Sequence, residues 1–179
     1  MNILALVLWP IFFIIASSLY KRSSLDPRYK SFSVLGASYP IGKYFNSLLI
    51  STGALQLLFL LFAYARLTNN DLKPVLYLFL SSTILGIMAG IINLKINTVA
   101  HYIVSFFGFL LGCAGYIIFA YQMSGVAFTC STTLILFSLV TLTGVVYFFI
   151  KTNDIPAYIE YCFFLNAFLS NLLIVFYLI

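Results

Sequence analysis

The sequence predicts an all-α fold, a polytopic transmembrane bundle of six helices, and three observations support this prediction. Hydrophobic residues make up 63% of the 179 residues and charged residues 7%, against about 45–50% and about 25% in an ordinary soluble domain. The mean hydropathy is +1.10. The apolar residues fall into six stretches, each near the length of about 20 residues that a membrane-spanning helix needs. This composition excludes a soluble enzyme, a nucleic-acid-binding domain and a disordered tail.

The first three predicted spans are bounded by basic residues and by a proline. Residues 3–20 form an apolar run that ends at two basic residues, and residues 44–65 form the next run, which ends at Arg66. The third span, residues 75–93, begins directly after Pro74. A proline is tolerated there because its missing N–H would have no partner in the first turn of a helix.

The last three predicted spans, residues 98–121, 126–150 and 156–179, are separated by the polar breaks QMSG and KTNDI. The first span of the chain has no preceding Lys or Arg and no small-residue cleavage site, so we interpret it as a membrane helix and not as a signal peptide. We therefore expect a single integral membrane domain over residues 1–179.

The net charge of +5 indicates orientation, because the basic residues are distributed unevenly between the two sides of the predicted bundle. Cytoplasmic loops of membrane proteins carry an excess of Lys and Arg. We therefore predict an integral protein of the plasma membrane with both termini outside and the odd-numbered loops in the cytoplasm. Those loops hold seven basic residues, Lys21, Arg22, Arg28, Lys30, Lys43, Lys95 and Lys151, and the opposite side holds Arg66 and Lys73.

Small residues recur at helical spacing in the third and fourth spans. Helices in lipid associate through close packing of small residues and through interhelical hydrogen bonds, since lipid gives them no hydrophobic reason to associate. In the fourth span the stripe of small residues also carries His101 and Ser105, so we expect His101 to point into the bundle. The predicted helix-packing residues are Gly86, Gly90, Gly108, Gly112 and Gly115.

The remaining polar side chains collect at one end of the predicted bundle. Asn46, His101 and Glu160 open the second, fourth and sixth spans, which all start from the side of the long first loop with its Ser33 and Gly36. Ionisable groups at membrane depth are costly and are therefore candidates for function. We predict a polar ligand site formed by these five residues. The alternative is structural, with Glu160 favoured near a helix N-terminus and the histidine bonded to a neighbouring carbonyl.

The segment SFSVLGASYPIGKYFNSLLISTGALQLLFLLF, residues 31–62, resembles the signature of an uncharacterised prokaryotic six-helix membrane family, which is similar to the Frag/DRAM/Sfk group of eukaryotic membrane proteins. The resemblance implies a six-helix bundle with a polar site between the first loop and the second and fourth spans. Some eukaryotic members act in lipid remodelling or homeostasis, which makes a lipid or other amphiphile a plausible ligand. The matching residues are Ser33, Leu35, Gly36, Tyr39, Pro40, Asn46, Gly53 and His101.

These observations favour a non-catalytic membrane protein that binds a lipid or other amphiphile at the polar end of the bundle. The alternative is an accessory or structural subunit of a larger membrane complex, whose partners would be membrane lipids and other integral membrane subunits. A hydrolase built on Ser33, His101 and Glu160 is conceivable because nucleophile, base and orienting residue coincide at one end, and a transporter with a proton relay is a further alternative. We expect no nucleic-acid partner, no metal and no cofactor.

Overall fold

A computed structural model describes residues 2–26, 28, 30–68, 70–151 and 155–177. The described residues form seven α-helices and one short 3₁₀ turn and contain no strand. Six of the helices are long and apolar enough to cross a membrane. The elements are α1 (Asn2–Ser23), α2 (Phe32–Ala37), α3 (Ile41–Arg66), the 3₁₀ turn Asn70–Leu72, α4 (Lys73–Ile91), α5 (Thr98–Met123), α6 (Phe128–Lys151) and α7 (Ala157–Tyr177).

The predicted all-α bundle with six spans is confirmed. The six long helices begin and end within three residues of the predicted limits, apart from residues 178 and 179 of the last predicted span, which lie outside the described residues. Pro74 lies in the first turn of α4, as its place in the sequence predicted. Six apolar helices of this length indicate an integral membrane protein.

The long helices form a ring in chain order. Each long helix packs against the next one along the chain, and α1 closes the ring against α7. In addition α5 packs against α7, so these two helices face each other inside the bundle. The helices α1, α4 and α6 finish, and α3, α5 and α7 begin, at one end of the bundle, which is called the α2 end below.

The helix α2 is a difference from the sequence prediction, which placed Ser33 and Gly36 in a long loop. The Ser31 side chain caps this helix by accepting a hydrogen bond from the Val34 backbone N–H at 3.2 Å. Such capping by serine satisfies one of the N–H groups that the first turn of a helix leaves without a partner. Phe32 and Leu35 are buried, so the short helix is anchored in the α2 end of the bundle.

Local features also explain where α1 ends and α5 begins. Ser24 has a φ of 58°, and such a left-handed residue directly after the last turn is a common helix stop. Before α5, the Asn97 side chain accepts a hydrogen bond from the Ala100 backbone N–H at 3.0 Å. The Asn97 cap thus sets the start of α5 at Thr98, three residues before His101.

Glycines allow α5 to approach α4 and α7 closely. A Cβ added at Gly112 would lie 2.5 Å from the Phe163 ring and 2.7 Å from Ser82 Oγ, and one at Gly115 would lie 2.8 Å from the Phe79 ring. Larger residues at these two positions would therefore push the helices apart. A Cβ at Gly90 would lie 3.0 Å from Ile50 of α3, which is a tight contact of the same kind.

Candidate binding cavity at the α2 end

A hydrogen bond between Ser33 and His101 joins α2 to α5. His101 lies one turn inside α5 and is 4% exposed, and its Nε2 lies 2.8 Å from Ser33 Oγ. Ser105, one turn further along α5, places its Oγ 3.4 Å from the same nitrogen. The residues connect because the first loop folds back as a helix over the start of α5.

The other ring nitrogen of His101 contacts the end of α4. His101 Nδ1 lies 2.7 Å from the Ile92 carbonyl oxygen and 3.1 Å from that of Ala89. Carbonyl oxygens only accept hydrogen bonds, so Nδ1 carries the proton. In the neutral imidazole Nε2 is then the acceptor, and the Ser33 hydroxyl donates to it. The histidine thus holds α2, α4 and α5 together.

Glu160 and Asn46 bind the backbone of α2 from two other helices. The Phe32 backbone N–H donates to Glu160 Oε2, and Asn46 Nδ2 donates to the Gly36 carbonyl oxygen at 3.0 Å. Glu160 lies in the first turn of α7 and is 5% exposed. A carboxylate near a helix N-terminus is favoured by the helix dipole. α2 is therefore held by polar side chains from α3, α5 and α7.

These polar side chains border a partly open cavity of about 70 Å³. The cavity lies between α2 and the helices α3, α4, α5 and α7, and its lining is mostly apolar. Its walls extend along α5 from His101 to Phe109. The lining residues are Phe32, Ser33, Phe45, Asn46, Leu49, Ser82, Gly86, Ala89, Asn93, His101, Ser105, Gly108, Phe109, Glu160, Phe163 and Phe164.

Five phenylalanines among these residues form a continuous aromatic wall, defined here as Phe45, Phe32, Phe164, Phe163 and Phe109. The ring centroids of Phe45 and Phe32 are 5.2 Å apart, and those of Phe32 and Phe164 are 5.8 Å apart. The wall continues with 5.8 Å between Phe164 and Phe163 and 4.8 Å between Phe163 and Phe109. Ring pairs at such distances pack favourably through their quadrupoles.

A second cavity of about 50 Å³ adjoins the first and leads deeper into the bundle. The two cavities have Leu49, Ser82, Gly86, Phe163 and Phe164 in common. The second one also reaches three side chains near the far half of the bundle, Trp9, Gln56 and Tyr116.

A buried set of neutral polar side chains, the amide cluster of Trp9, Gln56 and Asn171, lies at this depth. Trp9 Nε1 donates to Gln56 Oε1 at 3.2 Å. Gln56 Nε2 donates to Asn171 Oδ1 at 2.9 Å, and Asn171 Nδ2 donates back to Gln56 Oε1 at 2.8 Å. The cluster therefore links α1, α3 and α7 through hydrogen bonds that satisfy both amides.

Four of the five predicted ligand residues, Ser33, Asn46, His101 and Glu160, line the first cavity. Gly36 does not line it. Its carbonyl oxygen binds Asn46, and a Cβ added at Gly36 would lie 2.5 Å from Asn46 Oδ1. A residue larger than glycine at position 36 would therefore clash with the Asn46 side chain.

Four of the five predicted helix-packing glycines lie at helix contacts, and Gly86 does not. Gly90, Gly112 and Gly115 make the tight approaches described above. Gly108 lies next to α4, since its Cβ would lie 3.4 Å from Leu85 Cβ, and it also lines the first cavity. Gly86 differs, because a Cβ there would meet nothing within 4 Å and the residue borders both cavities. Its missing side chain leaves cavity space instead of a close helix contact.

The sequence reasoning missed the aromatic wall, the role of Trp9 and the bond between Asn166 Nδ2 and Ser138 Oγ at 2.9 Å. Phenylalanine suits lipid and protein surroundings equally well, so no pattern distinguished the five wall residues from the others. A signal for α2 was present in Ser31, a good helix cap placed before an apolar residue.

The Ser33–His101 pair has the geometry of a nucleophile beside a base, with the base oriented by backbone carbonyls. Acyl transfer at Ser33 would develop negative charge on the oxygen of the attacked carbonyl, and catalysts stabilise that charge with aimed donors. An ionised Glu160 side chain, which lines the same cavity, would oppose such a charge. Among the described residues, no three His, Cys, Asp or Glu side chains come together as metal ligands would.

A ring of six apolar helices with a cavity at one end defines a multi-pass α-helical membrane protein. The chain matches the family model described as "Protein of unknown function (DUF998)" over residues 3–176. The protein therefore belongs to the DUF998 family. No curated protein and no solved structure matches the chain.

Proposed function

We propose that this DUF998 protein binds a lipid or other amphiphile in the cavity at the α2 end and catalyses no reaction there. The supporting observation is that Ser33, Asn46, His101 and Glu160, from four different helices, line one cavity whose deeper wall is apolar. Polar groups at one end and apolar groups at the other match the two parts of an amphiphile. Small-molecule sites are typically apolar cavities with a few converging polar groups of this kind.

The depth of the cavity suits a molecule at the membrane boundary. An α-helix rises about 1.5 Å per residue. Counted from the first residue of α5, His101 therefore lies about 5 Å and Gly108 about 15 Å into the helix. The 26 residues of α5 exceed the thickness of a hydrocarbon core of about 30 Å, so with α5 centred in the core His101 would lie at the boundary and Gly108 about 10 Å inside it. A head would lie near His101 and Phe32, and an alkyl chain would follow the deeper part of the aromatic wall toward Phe109.

The cost of the polar groups supports a binding role as well. Ionisable side chains within membrane-spanning segments are costly, and they commonly mark ligand or ion pathways. The resemblance of residues 31–62 to the Frag/DRAM/Sfk group stays a prediction, and it is consistent with a lipid ligand. We further propose that the α2 end faces the cytoplasm of a plasma membrane, since seven of the nine basic residues lie at that end. The alternative role as an accessory subunit also stays a prediction.

Filling the cavity at Gly86 tests the proposal. A valine at this position would occupy cavity space, and its Cβ meets nothing within 4 Å. Gly125, in the exposed connection between α5 and α6, has equally open surroundings and supplies the matched control. We expect the wild-type protein and Gly125→Val, purified gently, to retain an amphiphile that native mass spectrometry detects. Gly86→Val should lose it while keeping its melting temperature.

Two results would count against the proposal. One is a wild-type protein whose bound lipids match the bulk lipid composition of its membrane. The other is a Gly86→Val protein that retains the same amphiphile in the same amount as Gly125→Val.

A further inference from the structure

We propose that the head bound in the α2-end cavity is an organic ammonium cation, such as a trimethylammonium or primary alkylammonium group. This inference rests on the proposed function and specifies its ligand class. Two features of the cavity lining point to a cation, namely its charge and its aromatic surface.

The Glu160 side chain lines the cavity and brings a negative charge to it when ionised, and none of the described lining residues is Lys or Arg. His101 adds no fixed positive charge in the neutral form, where Nδ1 donates to carbonyl oxygens and Nε2 accepts from Ser33. Charges interact more strongly in the low dielectric of a buried site than in water. A cation near Glu160 would therefore be stabilised, and a phosphate or carboxylate in the same place would be repelled.

The aromatic wall adds a second attraction for cations. The face of a phenylalanine ring carries negative potential, and cations within about 6 Å of a ring centroid are attracted to it, more strongly where water is excluded. Five rings in unbroken contact line this cavity. Quaternary ammonium groups are recognised in this way by aromatic cages. Phe32 is central to the site because its ring belongs to the wall and its N–H binds Glu160.

The basic residues lie elsewhere at the same end of the molecule. Lys21, Lys43 and Lys95 are exposed, and none of them lines the cavity. Lys43 Nζ lies 4.8 Å from the Tyr44 ring centroid and Lys95 Nζ 5.8 Å from that of Tyr39. Anionic lipid phosphates would therefore meet these lysines on the surface. Because Glu160 lines the cavity and the lysines lie on the surface, a cation is favoured inside and anions are favoured outside.

The two cavities also limit the rest of the ligand. The first provides about 70 Å³ and the second about 50 Å³, with five lining residues in common. These volumes accommodate a small ammonium head and only a few methylene groups, so the rest of a longer alkyl chain would lie outside the two cavities. Such a head can come from a single-chain amine, from a choline or ethanolamine lipid, or from a free small cation.

A pair of isosteric ligands tests the inference on the wild-type protein. The pair is decyltrimethylammonium and decyldimethylamine oxide, an analogue without net charge at neutral pH in which an oxygen atom replaces one methyl group. Binding would be measured by calorimetry on the full chain in a non-ionic detergent. We expect the cation to bind at least tenfold more tightly, which corresponds to about 1.4 kcal/mol.

Glu160→Gln tests the source of this preference. The glutamine keeps an oxygen that can accept from the Phe32 N–H but removes the charge. We expect the variant to bind both ligands within about twofold of each other. Asp71→Asn removes one carboxylate from the exposed turn at the opposite end of the bundle and should keep the wild-type preference. If Glu160→Gln fails to fold, the comparison of the two ligands on the wild-type protein still tests whether the site prefers a cation.

The outcomes separate this inference from the proposed function. Equal binding of both ligands at the cavity, or tighter binding of decyl sulfate, overturns the ammonium inference and leaves amphiphile binding intact. Failure of every amphiphile to bind overturns both. Competition by tetramethylammonium alone would support a free cation as the source. Competition by phosphatidylcholine and not by phosphatidylglycerol in nanodiscs would support a lipid source.

Discussion

Two buried polar clusters in this protein differ in the charge of their side chains and in the groups that these side chains bind. In the amide cluster, Gln56 and Asn171 satisfy each other through two hydrogen bonds, and Trp9 donates to the same glutamine. At the α2 end, His101 and Glu160 are ionisable, and their polar atoms bind backbone groups of α2 and α4 as well as a serine. Both clusters are almost fully buried, so burial alone does not distinguish them.

The difference between the clusters suits a structural role for the amide cluster and, under the proposed function, a ligand-binding role for the residues at the α2 end. Neutral amides that pair across α1, α3 and α7 position these helices and carry no net charge. The cluster at the α2 end places a histidine and a glutamate beside a cavity. Neutral side chains would be enough if these residues only joined helices through hydrogen bonds. Interhelical hydrogen bonds in membrane proteins are modest in strength, about 0.6 kcal/mol on average. We therefore expect the two clusters to respond differently when each is altered.

The largest effect on stability is expected from the amide cluster. Asn171→Leu removes both hydrogen bonds to Gln56 and leaves a buried amide without these partners. We expect the free energy of unfolding to fall by about 1–2 kcal/mol, because an unsatisfied buried polar group costs roughly 1–3 kcal/mol and membrane values reach about 1.7 kcal/mol. Thermal unfolding in detergent measures the change.

Ser51→Leu provides the control, since Ser51 is exposed on α3 and the variant introduces the same side chain facing lipid. Amphiphile binding at the α2 end should be unchanged in Asn171→Leu. A loss of binding as large as the loss of stability would show that the two clusters act as one unit.

A smaller and more local effect is expected at Ser33. Ser33→Ala removes the hydrogen bond to His101 Nε2 that joins α2 to α5. A typical hydrogen bond contributes about 1 kcal/mol, so amide exchange over residues 31–38 should accelerate about fivefold while the melting temperature stays nearly constant. Hydrogen–deuterium exchange with mass spectrometry resolves this segment. Ser47→Ala, at an exposed position of α3, should leave the exchange unchanged. Uniform acceleration in all helices would contradict a local role.

The smallest effect is expected outside both clusters, at the ion pair of Asp26 and Arg28. Arg28 Nη2 lies 2.7 Å from Asp26 Oδ2, and both side chains are solvent-exposed. Hydrogen bonds from the Arg28 side chain and backbone hold the pKa of Asp26 below its ordinary value of 3.8. A lowered carboxyl pKa stabilises the folded state above that ordinary value, and the contribution disappears as the pH falls through the lowered pKa.

Exposed pairs of this kind contribute little. Asp26→Asn should therefore melt with the wild-type protein between pH 5 and 8, and any residual difference should shrink below about pH 4 and vanish as the pH falls through the lowered pKa of Asp26. A clear loss of stability at pH 7 in the variant would show that this segment is coupled to the bundle.

The sequence was sufficient to predict the spans and the end at which the polar residues meet. Hydropathy counts apolar residues along a span, and alternation of direction then brings Asn46, His101 and Glu160 to the same end. It was insufficient for the contacts, because hydropathy does not fix how each helix is rotated about its axis. The bond between Gln56 and Asn171 joins residues far apart in the chain, and no local pattern indicates that pairing.

The short helix α2 escaped prediction for a different reason. Six residues are too few to stand out in a window of about 19 residues, and the helix is stabilised by contacts that form only in the bundle. The bond from the Phe32 N–H to Glu160 and the bond from Asn46 to the Gly36 carbonyl both come from other helices. The site around α2 was therefore predictable in composition but not in shape.

The bond between the Phe32 N–H and Glu160 has a consequence for biosynthesis. The ribosome completes α2 early, whereas α7 is the last of the six long helices to be translated. Until α7 is inserted, α2 lacks its carboxylate partner and the aromatic wall lacks Phe163 and Phe164. The cavity is thus completed only when α7 is inserted, and a chain truncated before α7 would carry an incomplete site.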